Sequence, residues 1–368
     1  MGGQTAVIAP VRKDRKIYIE LMRIVSIYFV IYNHSGGFFL FPQYLPTSVE
    51  YWGSLFLSIF CKFAVPVFFA ISGALMLSRP QEPLDKLWVG KILKFALLLL
   101  LGSFYAYLKD IGLGESMDAV RYHFSLTVFV KQLYSISLAG HLWFLYAYIA
   151  YLIVLPLLRS LAQNLETKYF YYFFGLAFAV KALVPIAEHV FLKNAYSMNS
   201  DFQIGWIAWD VILYPLLGYF LEYRCDWHKS GKKVVLLWVA VVFTTCIACV
   251  MTWYRGNLMG GYSSEESQYF HRSFDMVSCA AVYLGARYIC DHIRFPQWCR
   301  NLIISGGKCT FGIYYFHMLW EWKGIARFIE PVIAGDMALA LVSAVYILVM
   351  CWITTAVIRK IPCVGKLF

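Results

Sequence analysis

The sequence predicts an all-α integral membrane protein with about ten transmembrane helices and both termini in the cytoplasm. The chain of 368 residues is 61% hydrophobic and only 14% charged, and its mean hydropathy is +0.62. A soluble domain of this length cannot bury so much apolar surface, whereas a bilayer requires it. The apolar residues also cluster into runs long enough to cross a bilayer, which takes about 17 to 25 residues per helix.

Ten apolar runs satisfy this length requirement. They fall near residues 17–40, 52–78, 88–108, 142–159, 169–192, 205–223, 234–254, 270–290, 302–320 and 333–357. The aromatic and basic stretch 121–138 is a candidate interfacial or re-entrant helix. No internal repeat is visible, and this weakens the case for a transporter built from duplicated halves.

The polar segment before the first run contains four basic residues and is followed by no small-residue cleavage site. We therefore interpret the first run as a retained helix and not as a signal peptide. The expected organisation is a cytoplasmic N-terminal tail (1–16), a single transmembrane domain (17–358) and a cytoplasmic C-terminal tail (359–368).

The net charge of +11 reflects membrane orientation rather than nucleic-acid binding, because the basic residues form short clusters between the apolar runs. With the N-terminus inside, 21 of the 32 basic residues fall on the cytoplasmic side and 8 on the outer side. Cytoplasmic segments of membrane proteins carry such an excess of lysine and arginine. The bias predicts a multi-pass protein of the plasma (inner) membrane.

The ten cysteines do not form a recognisable metal site. Cys246 and Cys249 make a CxxC pair, but it lies inside an apolar run and has no second pair nearby. The sequence also lacks HExxH and GxSxG patterns. We therefore expect buried, unpaired thiols and no bound metal.

Arg23 and His34 are the most informative residues, because both lie in the first apolar run. The helical repeat places their side chains on one face and roughly 16 Å apart. An arginine in lipid costs at least about 2.5 kcal/mol, so such a residue is expected to serve a polar pathway or a reaction site. Glu20 precedes Arg23 by one turn and can pair with it to set its geometry, or the two can form a purely structural ion pair.

Two further histidines are expected at the depth of His34. His141 lies near the outer end of the fourth run, and His317 lies in the outer half of the ninth, whereas Arg23 is near the inner face. A neutral imidazole can accept a proton from a hydroxyl near pH 7. We predict one site with histidines towards the outside and cations towards the inside.

Three other residues are candidates for substrate binding. Lys62 can line the cavity that holds the histidines and cations, or its aliphatic chain can extend so that the ammonium reaches the membrane interface. Ser72 can supply a hydroxyl, although small residues in spans more often serve helix packing. Lys308 follows a Ser-Gly-Gly segment that we expect just before the ninth helix, either as a phosphate cradle at a helix N-terminus or as an ordinary cap and turn.

Two carboxylates and a lysine lie in other spans and are less informative. An unpaired Asp210 or Asp275 in a membrane is costly. Each can orient a histidine or neutralise Lys62 or Lys181.

The first two runs resemble acyltransferase family 3, the multi-span membrane acyltransferases. That family typically opens with an acidic residue three before an arginine, then ten residues and a histidine. Here these are Glu20, Arg23 and His34, with Glu20 where the family more often has aspartate. The second run is similar to the family's pattern of a basic residue followed by VPxFFxxSG, with Lys62, Pro66, Phe68, Phe69, Ser72 and Gly73.

The resemblance extends to the fourth and ninth runs and covers about residues 16 to 355. HLWFLYAYIAYLIVLPLL, which contains His141 and Trp143, resembles the family's fourth-helix segment. GKCTFGIYYFH, which contains Lys308 and His317, resembles its ninth helix. Four such motifs in the right order on a ten-span chain are a specific signature of this family.

The resemblance implies an acyl-CoA-dependent O-acetyltransferase with no tightly bound cofactor. Such enzymes move an acyl group, usually acetyl, from cytoplasmic acyl-CoA to a hydroxyl of a sugar or cell-envelope glycan, often lipid-linked. His34 matches the histidine regarded as catalytic, and Arg23 matches the essential arginine beside it, with Glu20 as its partner. The expected partners are acyl-CoA, the glycan acceptor and membrane lipids, without nucleic acid, and a homo-oligomer is left open.

The charge pattern and the family resemblance together suggest a mechanism in which the phosphates of CoA bind among the inner cations. Arg23 and Lys91, Lys94 or Lys308 contribute to this binding. His34 acts as a general base or as a transient acyl carrier. The substrate-binding candidates are Lys62, Ser72, His141, Trp143, Lys308 and His317, of which the two histidines orient the acceptor or stabilise the oxyanion. The alternative function is a transporter or flippase that exports a glycan or a lipid-linked intermediate.

Overall fold

The computed structural model describes residues 16–193, 195–261, 269–320, 333, 335–362 and 364–368. It is 80% helical, and the described part of the chain contains no strand. The helices are α1 (Ile17–His34), α2 (Val49–Met76), α3 (Leu84–Asp110), α4 (Met117–His123), α5 (Leu126–Ser135), α6 (Gly140–Asn164), α7 (Thr167–Val190), α8 (Asp210–Tyr223), α9 (Gly231–Met259), α10 (Asp275–His292), α11 (Gln297–Phe316) and α12 (Asp336–Ile358).

Each predicted span overlaps a helix, and six of these helices are long and apolar enough to cross a bilayer. They are α2, α3, α6, α7, α9 and α12. Of the other four, α8 has only 14 residues, and α1 carries Glu20 and Arg23 in its first two turns. The all-helical membrane class is confirmed, while the number of ten crossings and the cytoplasmic side of both termini stay predictions.

Three of the long helices contain a local change of helical pitch. A 3-10 turn, Cys61–Phe63, interrupts α2. π-helical turns interrupt α3 at Trp88–Ile92 and α7 at Ala179–Leu183. The two π turns contain Lys91 and Lys181, each of which pairs with a carboxylate. Such turns change the direction in which the following side chains project.

The stretch expected as one interfacial or re-entrant helix forms two short helices, α4 and α5. The buried ring of Phe129 on α5 packs on Phe104 and Tyr107 of α3. The Tyr107 hydroxyl accepts from the Ser125 backbone N–H at 2.9 Å, at the start of α5. These contacts fix α5 against the end of α3.

Helix α1 occupies the middle of the bundle, where it packs against α2, α10, α11 and α12. We call the end of the bundle at which α1 begins the basic end, and the end at which it finishes the histidine end. Helix α11 runs parallel to α1, since Glu20 lies against Gly307 and His34 lies against His317.

The closest helix crossing joins α2 and α8 and depends on two glycines. A Cβ at Gly73 would lie 2.0 Å from the Pro215 carbonyl oxygen, and a Cβ at Gly218 would lie 1.9 Å from that of Ala70. Small residues let membrane helices approach until their backbones touch. The Ser-Gly pair of the second run thus serves packing through Gly73.

We predict that Gly73→Ala lowers the free energy of unfolding by about 1–3 kcal/mol, because the opposing backbone of Pro215 cannot move aside. Gly53→Ala on the same helix is the matched control, since a Cβ there meets nothing within 4 Å. It is expected to be neutral or slightly stabilising. Thermal unfolding of both purified variants in detergent gives the comparison, and equal midpoints would contradict this account of the crossing.

Candidate functional site

A cavity of about 370 Å³ extends through the bundle from the basic end to the histidine end. Its walls come from α1, α2, α3, α6 and α11, together with residues that follow α12. The four segments that carry the family resemblance therefore all contribute to one cavity. Its polar lining residues are Arg23, His34, Ser72, Lys94, His141, Trp143, Tyr148, Lys308, Thr310, Tyr314 and Arg359.

Three histidines meet at the histidine end of the cavity. The ring of His317 lies between those of His34 and His141, with its centroid 5.1 Å from each. His34 is the exposed member and faces the cavity, whereas His141 and His317 are 8% and 3% exposed. The structure thus brings together the three imidazoles that the depth argument placed at one level.

The end of α11 orients the ring of His317 and holds the main chain at His141. His317 Nδ1 lies 2.6 Å from the Tyr314 carbonyl oxygen, which can only accept a hydrogen bond. Nδ1 therefore carries the proton of the neutral ring, and Nε2, which has no protein partner among the described residues, keeps its lone pair. The Tyr314 hydroxyl donates to the His141 carbonyl at 2.7 Å, so the start of α6 is tied to the same turn.

The arginine of the first helix is held by the preceding acidic residue. Arg23 Nη1 lies 3.0 Å from Glu20 Oε2, and Glu20 is only 4% exposed. Glu20 in turn lies against Gly307, where a Cβ would approach its Oε2 to 2.1 Å. Only a glycine at this position of α11 leaves room for the carboxylate that orients Arg23.

Four cations line the basic end of the cavity: Arg23, Lys94, Lys308 and Arg359. Arg359 was missed by the sequence analysis, although its position directly after the last apolar run was a signal. It donates to the Lys308 carbonyl and, at 3.3 Å, to the carbonyl of Phe368, which itself lines the cavity. The segment expected as a cytoplasmic C-terminal tail therefore folds back onto α11.

Lys91, one of the cations expected to contribute to CoA binding, does not line the cavity. Its ammonium lies 2.5 Å from Glu82, which also pairs with the buried Arg159 at 3.3 Å. This network fastens the connection between α2 and α3 at the basic end. Lys91 is thus occupied by a structural ion pair.

Lys62 also lies outside the cavity lining. Its ammonium sits 3.7 Å from the centre of the Phe38 ring, a cation–π contact, and it is close enough to His34 to act on it electrostatically. The 3-10 turn that contains Lys62 directs its side chain towards the segment after α1. Lys62 therefore lies beside the site and acts on it through His34, without lining the cavity.

Ser72, Trp143 and Tyr148 also line the cavity. The Ser72 hydroxyl is within hydrogen-bonding reach of the Tyr148 hydroxyl. Trp143 is 38% exposed and sits two residues after His141. Ser72 on α2 thus faces the cavity while its neighbour Gly73 makes the helix crossing.

The expectation for residues 305–308 is wrong, because they lie in the interior of α11 and not at a helix N-terminus. Their backbone N–H groups are engaged in the helix and cannot form a phosphate cradle. Gly306 and Gly307 instead let α1 approach, with Ile24 and Glu20 as the opposing side chains. The ordinary cap and turn, which was the alternative, is equally wrong.

The buried acidic residues of the other spans pair with cations. Asp275 lies 2.9 Å from Lys181 and accepts from the Tyr214 hydroxyl at 2.5 Å, and Asp210 lies 2.6 Å from Arg272. In the described contacts neither carboxylate touches a histidine of the cluster. Among the described residues, no group of three histidine, cysteine or acidic side chains could hold a metal ion, and the nine described cysteines are free.

Membrane-length helices around a cavity that holds cations and imidazoles define a multi-pass membrane protein with an internal polar site. A family model described as an acyltransferase domain matches residues 16–358, nearly the whole chain, and the protein belongs to this family, acyltransferase family 3. The resemblance seen in the four motifs is thereby confirmed. Searches among curated proteins and among solved structures gave no match.

We predict that Gly307→Ala destabilises the protein by about 1–3 kcal/mol, because the new Cβ displaces the buried Glu20 side chain. The double variant Gly307→Ala/Glu20→Asp is expected to recover part of this loss, since the shorter carboxylate retreats from α11. The free energies of unfolding of the wild type, the two single variants and the double variant form a double-mutant cycle. We expect this cycle to give a coupling energy of at least about 0.5 kcal/mol between the two positions. Additive effects would mean that Gly307 does not seat Glu20.

Proposed function

We propose that the protein is a membrane O-acyltransferase that moves an acetyl group from cytoplasmic acetyl-CoA to a hydroxyl of a sugar or cell-envelope glycan. One observation carries the proposal: a single cavity has four cations at one end and three histidines at the other. Membership of an acyltransferase family supports the enzyme over the exporter that the sequence also suggested.

The basic end suits the phosphates of CoA. The guanidinium groups of Arg23 and Arg359 present planar donor forks that match phosphate oxygens, and Lys94 and Lys308 add two point charges. The distance of roughly 16 Å along α1 from Arg23 to His34 is comparable to the reach of a pantetheine arm. CoA bound at the cations would thus present its thioester to the histidines.

The histidine end supplies the acid–base chemistry by one of two routes. In direct transfer, the acceptor oxygen attacks the thioester carbonyl while His34 takes the hydroxyl proton, and the departing CoA thiolate then receives that proton. In the covalent route, a nitrogen of His34 attacks first, CoA leaves as the thiol, and the acceptor hydroxyl then takes the acetyl group from the imidazole. Both routes end with an ester and free CoA.

The two neighbouring histidines can both accept a hydrogen bond in this scheme. Neutral His317 offers a lone pair at Nε2, so it suits holding the acceptor hydroxyl better than donating to an oxyanion. His141 has no protein partner at Nδ1 among the described residues, and its other ring nitrogen is within hydrogen-bonding reach of the Tyr315 carbonyl oxygen, so Nδ1 offers a second lone pair. His141 and His317 thus position the substrate, whereas His34 accepts the proton or carries the acyl group.

Purified variants separate binding from chemistry. His34→Ala is expected to bind labelled acetyl-CoA within about twofold of the wild type and to lose acetyl transfer by at least about 100-fold. Arg23→Ala is expected to weaken acetyl-CoA binding by about tenfold or more, the loss of one charge-assisted hydrogen bond. Lys91→Ala is the matched control, since Lys91 pairs with Glu82 outside the cavity. Near-normal acetyl transfer by a folded His34→Ala protein would refute the proposal.

The two chemical routes differ in what accumulates without acceptor. If His34 carries the acetyl group, rapid acid-free quenching of the enzyme with labelled acetyl-CoA will leave label on the peptide 17–34 in the wild type. The same experiment with His34→Gln will leave none. If the hydroxyl attacks directly, neither protein retains label on that peptide, although both bind acetyl-CoA.

A further inference from the structure

Three residues that line the cavity of about 370 Å³ lie outside the helices of the bundle. They are Arg359, Leu367 and Phe368, which follow α12, whereas the other lining residues belong to α1, α2, α3, α6 and α11. We call this cavity the donor cavity and residues 364–368 the strap. The reaction proposed above involves Arg359 but not the strap, although the strap borders the site of the donor.

The ring of Phe368 fastens the strap to α11. Its centroid lies 5.9 Å from that of Phe311, 5.4 Å from that of Tyr315 and 4.9 Å from that of Phe316. Phe311 and Tyr315 lie about one and two helical turns after Lys308. The strap therefore extends from the basic end along α11, beyond the level of the cation Lys308.

Arg359 holds the main chain of the strap. Its guanidinium donates to the Lys308 carbonyl and, at 3.3 Å, to the Phe368 carbonyl. Gly365 packs on the main chain of Arg359, where a Cβ would lie 2.4 Å from the carbonyl oxygen. The strap is thus bound to the same residue whose guanidinium is proposed to bind phosphate.

The strap limits the room that the donor cavity offers. Pockets that hold drug-sized ligands measure about 300–1,000 Å³, so a cavity of 370 Å³ is at the low end of this range. CoA, with a nucleotide and a pantetheine arm, is larger than a drug-sized ligand. With Leu367 and Phe368 in the wall, the cavity is therefore too small for the whole molecule.

Phosphate is a stronger partner for Arg359 than the strap is. A phosphate carries charge and can accept two parallel hydrogen bonds from a guanidinium, whereas the Phe368 carbonyl accepts one bond of 3.3 Å, which is long. The strap has little else to hold it, since Val364 is 42% exposed and Leu367 and Phe368 are half-buried. Segments with few buried contacts open at a low cost in free energy.

We propose that the strap is an autoinhibitory segment that closes the empty donor cavity and is displaced when CoA phosphates bind Arg359. This inference rests on the proposed acyltransferase function. In the closed state the Phe368 ring packs on α11. In the open state the ring leaves α11, and both Arg359 and Lys308 bind phosphate. The apparent affinity for CoA is then reduced by the fraction of molecules whose strap is open.

Two substitutions release the strap without replacing a cation. Phe368→Ala removes the three ring contacts, and Gly365→Ala forces the strap away from the main chain of Arg359. Val364→Ala is the matched control, because Val364 lies in the strap, is 42% exposed and does not line the donor cavity. Equal unfolding midpoints of the four purified proteins establish that each variant is folded.

The first measurement is the kinetics of CoA binding to the four proteins by stopped flow. We expect Phe368→Ala and Gly365→Ala to associate with CoA at least about fivefold faster than the wild type. Their dissociation rates should stay within about twofold of the wild type, because the strap competes only in the protein without CoA. Val364→Ala should match the wild type in both rates.

The second measurement is hydrogen exchange of the wild-type peptide 361–368 with and without CoA. The backbone N–H groups of Gly365 and Leu367 each donate to a carbonyl of residues 361–364 at 2.9 Å. Displacement of the strap exposes these groups to water. We therefore expect CoA to accelerate their exchange, whereas a fixed wall of the binding site would be protected by the ligand.

Two results would overturn the strap proposal in proteins that bind CoA. One is an association rate that neither Phe368→Ala nor Gly365→Ala increases, and the other is slower or unchanged exchange of the strap after CoA is added. Failure of all four proteins to bind CoA would instead contradict the proposed function. The binding assay thus distinguishes a failure of the strap proposal from a failure of the enzyme proposal.

Discussion

The contact between Glu20 of α1 and Gly307 of α11 is the constraint on which the site depends. Because Gly307 has no side chain, α1 and α11 approach closely enough for a buried carboxylate to fit between them. That carboxylate holds Arg23 at 3.0 Å and thereby orients its guanidinium beside the cavity. The same parallel packing, continued along both helices, places His34 against His317.

The cost of burying charge explains why the cations and the imidazoles lie at opposite ends of one cavity. A buried ion needs a partner or contact with water, since desolvation costs several kcal/mol per ion. Arg23 has Glu20, and the exposed Lys308 and Arg359 lie near the basic end, where water is accessible. His141 and His317 can be buried at the histidine end because a neutral imidazole is much less costly to bury than an ion. Aromatic side chains such as Phe68, Phe144 and Phe311 line the same cavity.

Other ion pairs of the bundle fasten helix ends and stay outside the cavity. At the basic end, the buried Glu222 accepts from Lys16, Tyr18 and Tyr283, which ties the start of α1 to α8 and α10. At the other end, Asp275 pairs with Lys181 and accepts from Tyr214. The bonded residues are 61 to 206 positions apart in the sequence, so these contacts join different helices. Removing one member of such a buried pair leaves an uncompensated charge, which typically costs 3–5 kcal/mol.

Much of the fold and of the candidate site was predictable from the sequence, because it depends on local properties. Each apolar run predicts a helix, and the helical repeat puts Arg23 and His34 on one face. Alternation of the helix direction places His141 and His317 near the level of His34. The order of four motifs was enough to indicate the acyltransferase family, which is confirmed.

Only the tertiary structure decided which helices are neighbours and which side chains enter the cavity. Gly306 and Gly307 suggested a helix end, because glycine is a poor helix former, but close approach of α1 favours glycine inside a membrane helix. Lys62 turns to Phe38 and Lys91 to Glu82, whereas Arg359 enters the cavity because the residues after α12 fold back. These contacts join residues far apart in sequence. Their geometry arises from packing between helices, which no local pattern of residues encodes.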